Sequence, residues 1–177
     1  MEPNLLMPQA SALFQVRLDD LLNKLKRDVV EIKQKFNSRG LLFSTGTFTE
    51  INARLDLAIV DIGKSAVECA KSAHKASSYR FTTKLEPDLL DVFESNFAAG
   101  YLKLKTLRTS STEQILNSLQ NKEMHRHDGA ESIAARVRME GQIALREYFQ
   151  EVKKSQKSRY SYLYDLARLI LSFLRGH

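Results

Sequence analysis

The sequence predicts an all-α chain: one bundle of about six helices spanning residues 1–177, built on a long antiparallel hairpin of the first two. Three observations carry this. Apolar residues recur at spacings of three and four over long stretches, the period of one buried helical face. Helix start signals precede most of these stretches. Glycine (7) and proline (3) are too scarce for a turn-rich β chain.

The first helix runs from about Ser11 to Asn37, with Phe14, Leu18, Leu21, Leu25, Val29, Ile32 and Phe36 on its apolar face. Residues 1–10 hold two prolines and read as a flexible N-terminus. Gly40 suits the left-handed position that closes a helix, with Leu41 and Leu42 as the apolar return contact. Thr47 and Glu50 have the spacing of a capping box at the start of the second helix. Phe48, Ile51, Leu55, Ile59 and Ile62 continue the stripe, which then turns small at Gly63, Ala66, Ala70 and Ala73. Small residues on one face predict a close helix crossing there.

The third helix starts near Pro87 and reaches Leu107. "TSST" (109–112) is expected to break it, and Ser111 with Gln114 to cap a short fourth helix. The fifth helix spans about Gly129 to Lys154, with Val137 and Tyr148 inward and Gly141 at a close contact. A basic connector, "KKSQKSR", then leads to the sixth helix, about Tyr160 to Arg175. The expected core contains Leu18, Leu21, Leu25, Ile32, Leu55, Ile59, Ile62, Phe93, Phe97, Val137 and Tyr148.

Net charge is +6, and residues 153–177 supply +5 of it: Lys153, Lys154, Lys157, Arg159, Arg168 and Arg175 stand against Asp165 alone. The body is nearly neutral, unlike a nucleic-acid reader with a basic stripe across its fold. One cysteine excludes an intrachain disulfide and suits a reducing compartment. The N-terminal residues lack the basic start of a signal peptide, and no apolar run is long enough to span a bilayer. The expectation is a cytoplasmic protein without a transmembrane segment.

Two motifs invite a chemical reading. "EMHRHDGAE" gathers Glu123, His125, His127 and Asp128. A His-x-His pair shares one side only in a strand, and no strand is visible here. Asp128 with Glu131 reads better as the cap of the fifth helix. "AIVDIGKS" (58–65) matches the relaxed phosphate-loop pattern, but β-branched residues fill the loop positions and the segment lies inside a helical stripe. Cys69 sits among alanines as an ordinary buried thiol. No metal, cofactor or catalytic cluster follows from these residues.

The chain therefore reads as a non-enzymatic helical interaction or assembly module, with a protein partner or a second copy in a homo-oligomer. The partner-contact candidates are Lys153, Lys154, Lys157, Arg159, Tyr160, Tyr162 and Tyr164. One alternative is a nucleic-acid-associated protein using this basic, tyrosine-rich segment. Another is a small nuclease-like enzyme at His125, His127 and Asp128. The sixth helix has one narrow polar line (Ser161, Asp165, Arg168, Ser172, Arg175) and is otherwise apolar. Its expected place is against its own bundle; a second chain and an anionic membrane surface are the other covers.

Overall fold

A computed structural model describes residues 6–76, 84–119 and 128–175; in the last stretch, side chains are described for 129–157. The described residues are all-helical and form four helices rather than six: α1 (Met7–Asn37), α2 (Thr45–Ala76), α3 (Leu85–Leu119) and α4 (Asp128–Arg175). The expected third and fourth helices are one, and so are the fifth and sixth.

Both mergers have a physical cause. At "TSST" the hydroxyls bond back to carbonyls of the preceding turn: Thr109 to Lys105 (3.2 Å), Ser110 to Leu107 (3.0 Å) and Thr112 to Arg108 (2.9 Å). Such bonds satisfy the side chains inside the helix, so they do not compete with its backbone ladder. Ser111 and Thr112 are buried and carry the helix on to Ile115, also buried. "KKSQKSR" holds no glycine or proline, and lysine, glutamine and arginine favour helix. It therefore continues α4 instead of connecting two helices.

Of the expected helix ends, the closure at Gly40 holds, while the cap of α2 and the start of α1 differ. Gly40 has φ +68°, and Leu41 N–H donates to Phe36 O while Gly40 N–H donates to Asn37 O (both 2.9 Å). This is a Schellman closure. Leu41 stays about half exposed, so it is not the apolar return contact. The cap of α2 is Ser44, not Thr47: Ser44 Oγ accepts from the Thr47 N–H (3.2 Å), and the buried Thr47 hydroxyl donates to Leu41 O (2.8 Å). Glu50, released from a capping role, meets Lys35 of α1 at 2.9 Å. Helix α1 begins at Met7, inside the stretch expected to be flexible. Pro8 falls in its first turn, where no amide is required, and Leu6 and Ala10 are buried.

Side-chain pairs fix the directions. On α1 and α2, Lys35 meets Glu50 and Asp28 meets Arg54, so the hairpin is antiparallel. Along α3 and α4, Glu86 meets Arg146, Glu94 meets Arg138 and Lys105 meets Glu131, again antiparallel. Asp19 to Lys103 and Ser11 to Asn96 run α1 parallel to α3. The result is an up-down-up-down bundle. Helices α2 and α3 each touch all the others, whereas α1 and α4 do not touch.

The core lies along α2 and α3. Leu18, Leu25, Leu55, Ile59, Ile62, Phe93, Phe97 and Val137 are buried as expected; Leu21, Ile32 and Tyr148 are partly buried against them. On α3, Phe93, Phe97 and Tyr101 stack one turn apart, with ring centroids 5.7 and 6.2 Å apart. The small-residue face of α2 is buried throughout. At Gly63 any Cβ would run into Cγ1 of Val137 on α4, and at Gly141 into the Phe93 ring of α3.

These two glycines give a prediction. Gly63→Ala and Gly141→Ala each gain helix propensity of roughly 1 kcal/mol. Each also inserts a methyl where a neighbour must move, at a cost of about 1–3 kcal/mol. The expected outcome in urea unfolding is a net loss of stability for both. An unchanged or raised midpoint would mean that the crossing is looser than described.

Candidate functional site

Two partly buried polar clusters link the helices. Arg108 of α3 reaches α2, where its guanidinium donates to the Asn52 amide oxygen (3.2 Å) and to Asp56. The Asn52 amide in turn donates to Phe48 O (3.0 Å). Arg54 of α2 meets Asp28 of α1 at 2.6 Å. These groups are satisfied by one another, with no acid or base left poised, so the arrangement positions helices rather than performing chemistry. None was singled out from the sequence. Asn52, a polar residue beside the stripe positions Ile51 and Leu55, was the available signal. The side chains of Arg108 and Asp56 are only 15% and 18% exposed, so Arg108→Ala strands a carboxylate and an amide. A loss of about 2–3 kcal/mol in denaturant unfolding is expected; a loss below about 0.5 kcal/mol would class the pair with ordinary surface ion pairs.

The phosphate-loop match lies within α2, and Gly63 serves the contact with Val137. Lys64 stands on the rim of a groove of about 390 Å³ between α2 and α4, floored by Val60, Gly63, Val137 and Gly141. Exposed Lys64 and Glu68 flank an apolar floor there, and no set of backbone amides is free inside a helix to hold phosphate. Cys69 is fully buried, and burial pushes its thiol pKa upward, the wrong direction for a nucleophile.

In the last turn of α2, His74 Nδ1 lies 2.8 Å from the Tyr148 hydroxyl of α4, with the rings edge to face. Lys71 and Lys75 approach the same tyrosine ring, at 5.8 and 6.0 Å. Burial lowers the His74 pKa below its ordinary value. The unfolded imidazole therefore takes up a proton that the folded one resists. Stability from this group is full at neutral pH and falls as pH drops through the ordinary imidazole range. The thermal midpoint is expected to decline between about pH 7.5 and about pH 5.5. His74→Gln should flatten that decline; an equally steep profile in the variant would assign the titration elsewhere.

Of the alternative polar cluster, Glu123, His125 and His127 lie outside the described residues, and Asp128 opens α4. Glu131 crosses to Lys105 at 3.4 Å. Among the described residues no group of three or more histidines, cysteines and acids is placed to hold a metal.

The partner-contact candidates all fall on α4. Lys153, Lys154 and Lys157 are exposed; Arg159, Tyr160, Tyr162 and Tyr164 continue the same helical backbone. The register shows where this segment stands. Helix α4 runs parallel to α2, with Gly63 opposite Val137 and His74 opposite Tyr148, the same offset of 74 residues in both pairs. Helix α2 ends at Ala76, which brings its last turn level with Gln150. Helix α3 begins at Leu85, beside the level of Arg146. Among the residues whose side chains are described, the last apolar one that α4 packs on the core is Val152. Residues 153–175 therefore run past the ends of both neighbouring helices, by roughly 34 Å at 1.5 Å per residue. A continuous helix does not turn back onto α2 or α3, so among the described residues the expected docking of this segment on its own helices is not met.

No helix among the described residues is long and apolar enough to cross a membrane. Comparison with protein-family models, curated proteins and solved structures gives no match.

Proposed function

We propose that this chain is a non-enzymatic helical interaction or assembly module. One observation carries the reading: α4 outruns the helices it packs on and takes a largely apolar sequence with it. Such a sequence is stable in water only when covered. The described polar groups of the bundle support the same view, because they pair between helices. Sedimentation equilibrium of the full chain, with chemical cross-linking at Lys153, Lys154 and Lys157, tests it. The expected result is a mass above one chain, or a defined protein cross-linked through these lysines. A strict monomer at every concentration, cross-linked to nothing, would overturn the reading.

The exposed lysines also motivate a second reading, as a nucleic-acid contact. Phosphate binding through them would weaken steeply with salt. Retention that ignores salt, or none at low salt, removes it.

A further inference from the structure

We propose that the C-terminal part of α4, from Lys153 to Arg175, docks on an anionic lipid bilayer as an interfacial helix. This rests on the same uncovered segment as the interaction-module reading and names a lipid surface as its cover, so a monomer that floats supports it and sinks the protein-partner reading, whereas an oligomer that does not float does the reverse.

The first argument is the width of the apolar arc. Within the bundle, α4 buries Ala130, Ala134, Val137, Gly141, Leu145 and Phe149. At 100° per residue these span about 120° of the helix, the arc that two neighbouring helices cover. Beyond the bundle the same phase carries on through Leu163, Leu166, Ile170 and Leu174. There, however, the apolar positions from Tyr160 to Leu174 span about 220°, leaving only about 80° to the polar line. A second helix laid alongside covers one seam, far less than that. Acyl chains cover a wide arc and leave the polar line to water.

The second argument is order along the axis. Lys153, Lys154, Lys157 and Arg159 come first, then Tyr160, Tyr162 and Tyr164, then Leu166, Leu169, Ile170, Leu171, Phe173 and Leu174. For a helix lying along the surface, the basic turn next to the bundle meets anionic headgroups, the tyrosines take the interface, and the aliphatic residues turn their shared arc to the acyl chains. The charges inside the apolar stretch, Asp165 and Arg168, are three apart, the spacing of a neutralising helical pair.

The third argument is complementarity. Nearly all the chain's excess charge lies in this segment, and its lysines at 153, 154 and 157 are exposed. An anionic surface is complementary to this charge. From Tyr160 to Leu174 the helix is about 22 Å long, short of the roughly 30 Å hydrocarbon core, so it inserts at the interface and does not cross.

The test is flotation of the full chain with phosphatidylcholine vesicles and with vesicles in which one lipid in three is phosphatidylglycerol. Flotation is expected with the anionic vesicles only, reversed by high salt. The triple variant Lys153→Gln, Lys154→Gln, Lys157→Gln should lower partitioning by about a hundredfold. Leu166→Glu with Ile170→Glu should abolish it while the thermal midpoint of the bundle holds, since both positions lie past the ends of α2 and α3. Absence of flotation would overturn the proposal, as would equal flotation on neutral vesicles or flotation indifferent to the glutamates. A soluble dimer dissociated by Leu166→Glu, without flotation, would assign the segment to a second copy. Salt-sensitive retention of duplex DNA without flotation would assign it to nucleic acid.

Discussion

The close approach of α4 to α2 and α3 sets the rest of the structure. It exists because two positions have no side chain. Gly63 admits Val137, and Gly141 admits the ring of Phe93. A Cβ at either place would push α4 outward, and the groove between α2 and α4 would widen. With α4 seated, Val137 and Phe93 act as knobs that fix its height. The offset between α2 and α4 is then the same at Gly63 and at His74. That height decides how much of α4 lies beside the bundle and how much beyond it, so two glycines determine where the exposed segment begins.

The polar pairs add direction and register rather than bulk stability. Lys35–Glu50 and Lys105–Glu131 are half exposed and screened by water, so each is worth little. Their value is order: along α3 and α4 the partners at 86, 94 and 105 meet 146, 138 and 131 in turn, and a slip of one helical turn would misalign them all. Arg108 differs because it is mostly shielded and holds Asn52 and Asp56 together. It stands beside the serine–threonine run that the sequence pattern reads as a break in α3. Its carbonyl accepts from Thr112, while its guanidinium anchors the helix to α2. The same residue thus keeps α3 continuous and in place.

The class of fold and most of the core were legible because burial imposes a period. Leu55, Ile59 and Ile62 repeat at helical spacing whatever packs against them, and Gly63 with the alanines marked a close crossing before its partner was known. Gly40 was legible because few residues other than glycine take a left-handed backbone. The helix count was not. Serines and threonines end a helix when their hydroxyls capture free amides and sit inside one when they capture carbonyls, and composition does not distinguish the two at "TSST". The cap of α2 failed for a related reason: Ser44 and Thr47 both carry a suitable hydroxyl, and only the path of Leu41 selects between them. Cross-helix pairs such as Arg108–Asp56 and His74–Tyr148 depend on register, which a one-dimensional pattern does not encode.

The uninterrupted course of α4 ties the candidate segment to the bundle mechanically. A flexible connector at residues 153–159 would let the apolar stretch orient independently. A helix does not: each residue adds about 100° of rotation and 1.5 Å of rise. The polar line at Ser161, Asp165, Arg168 and Ser172 therefore keeps the phase of exposed positions such as Glu147 and Lys154 within the bundle. The apolar arc keeps the phase of Val137 and Leu145, which face α2 and α3. Whatever covers the segment must lie on the side of α4 where those helices end. Among the described residues α1 does not touch α4 and stands across the bundle from it. Docking at this segment thus sets the orientation of the whole bundle as well as its position.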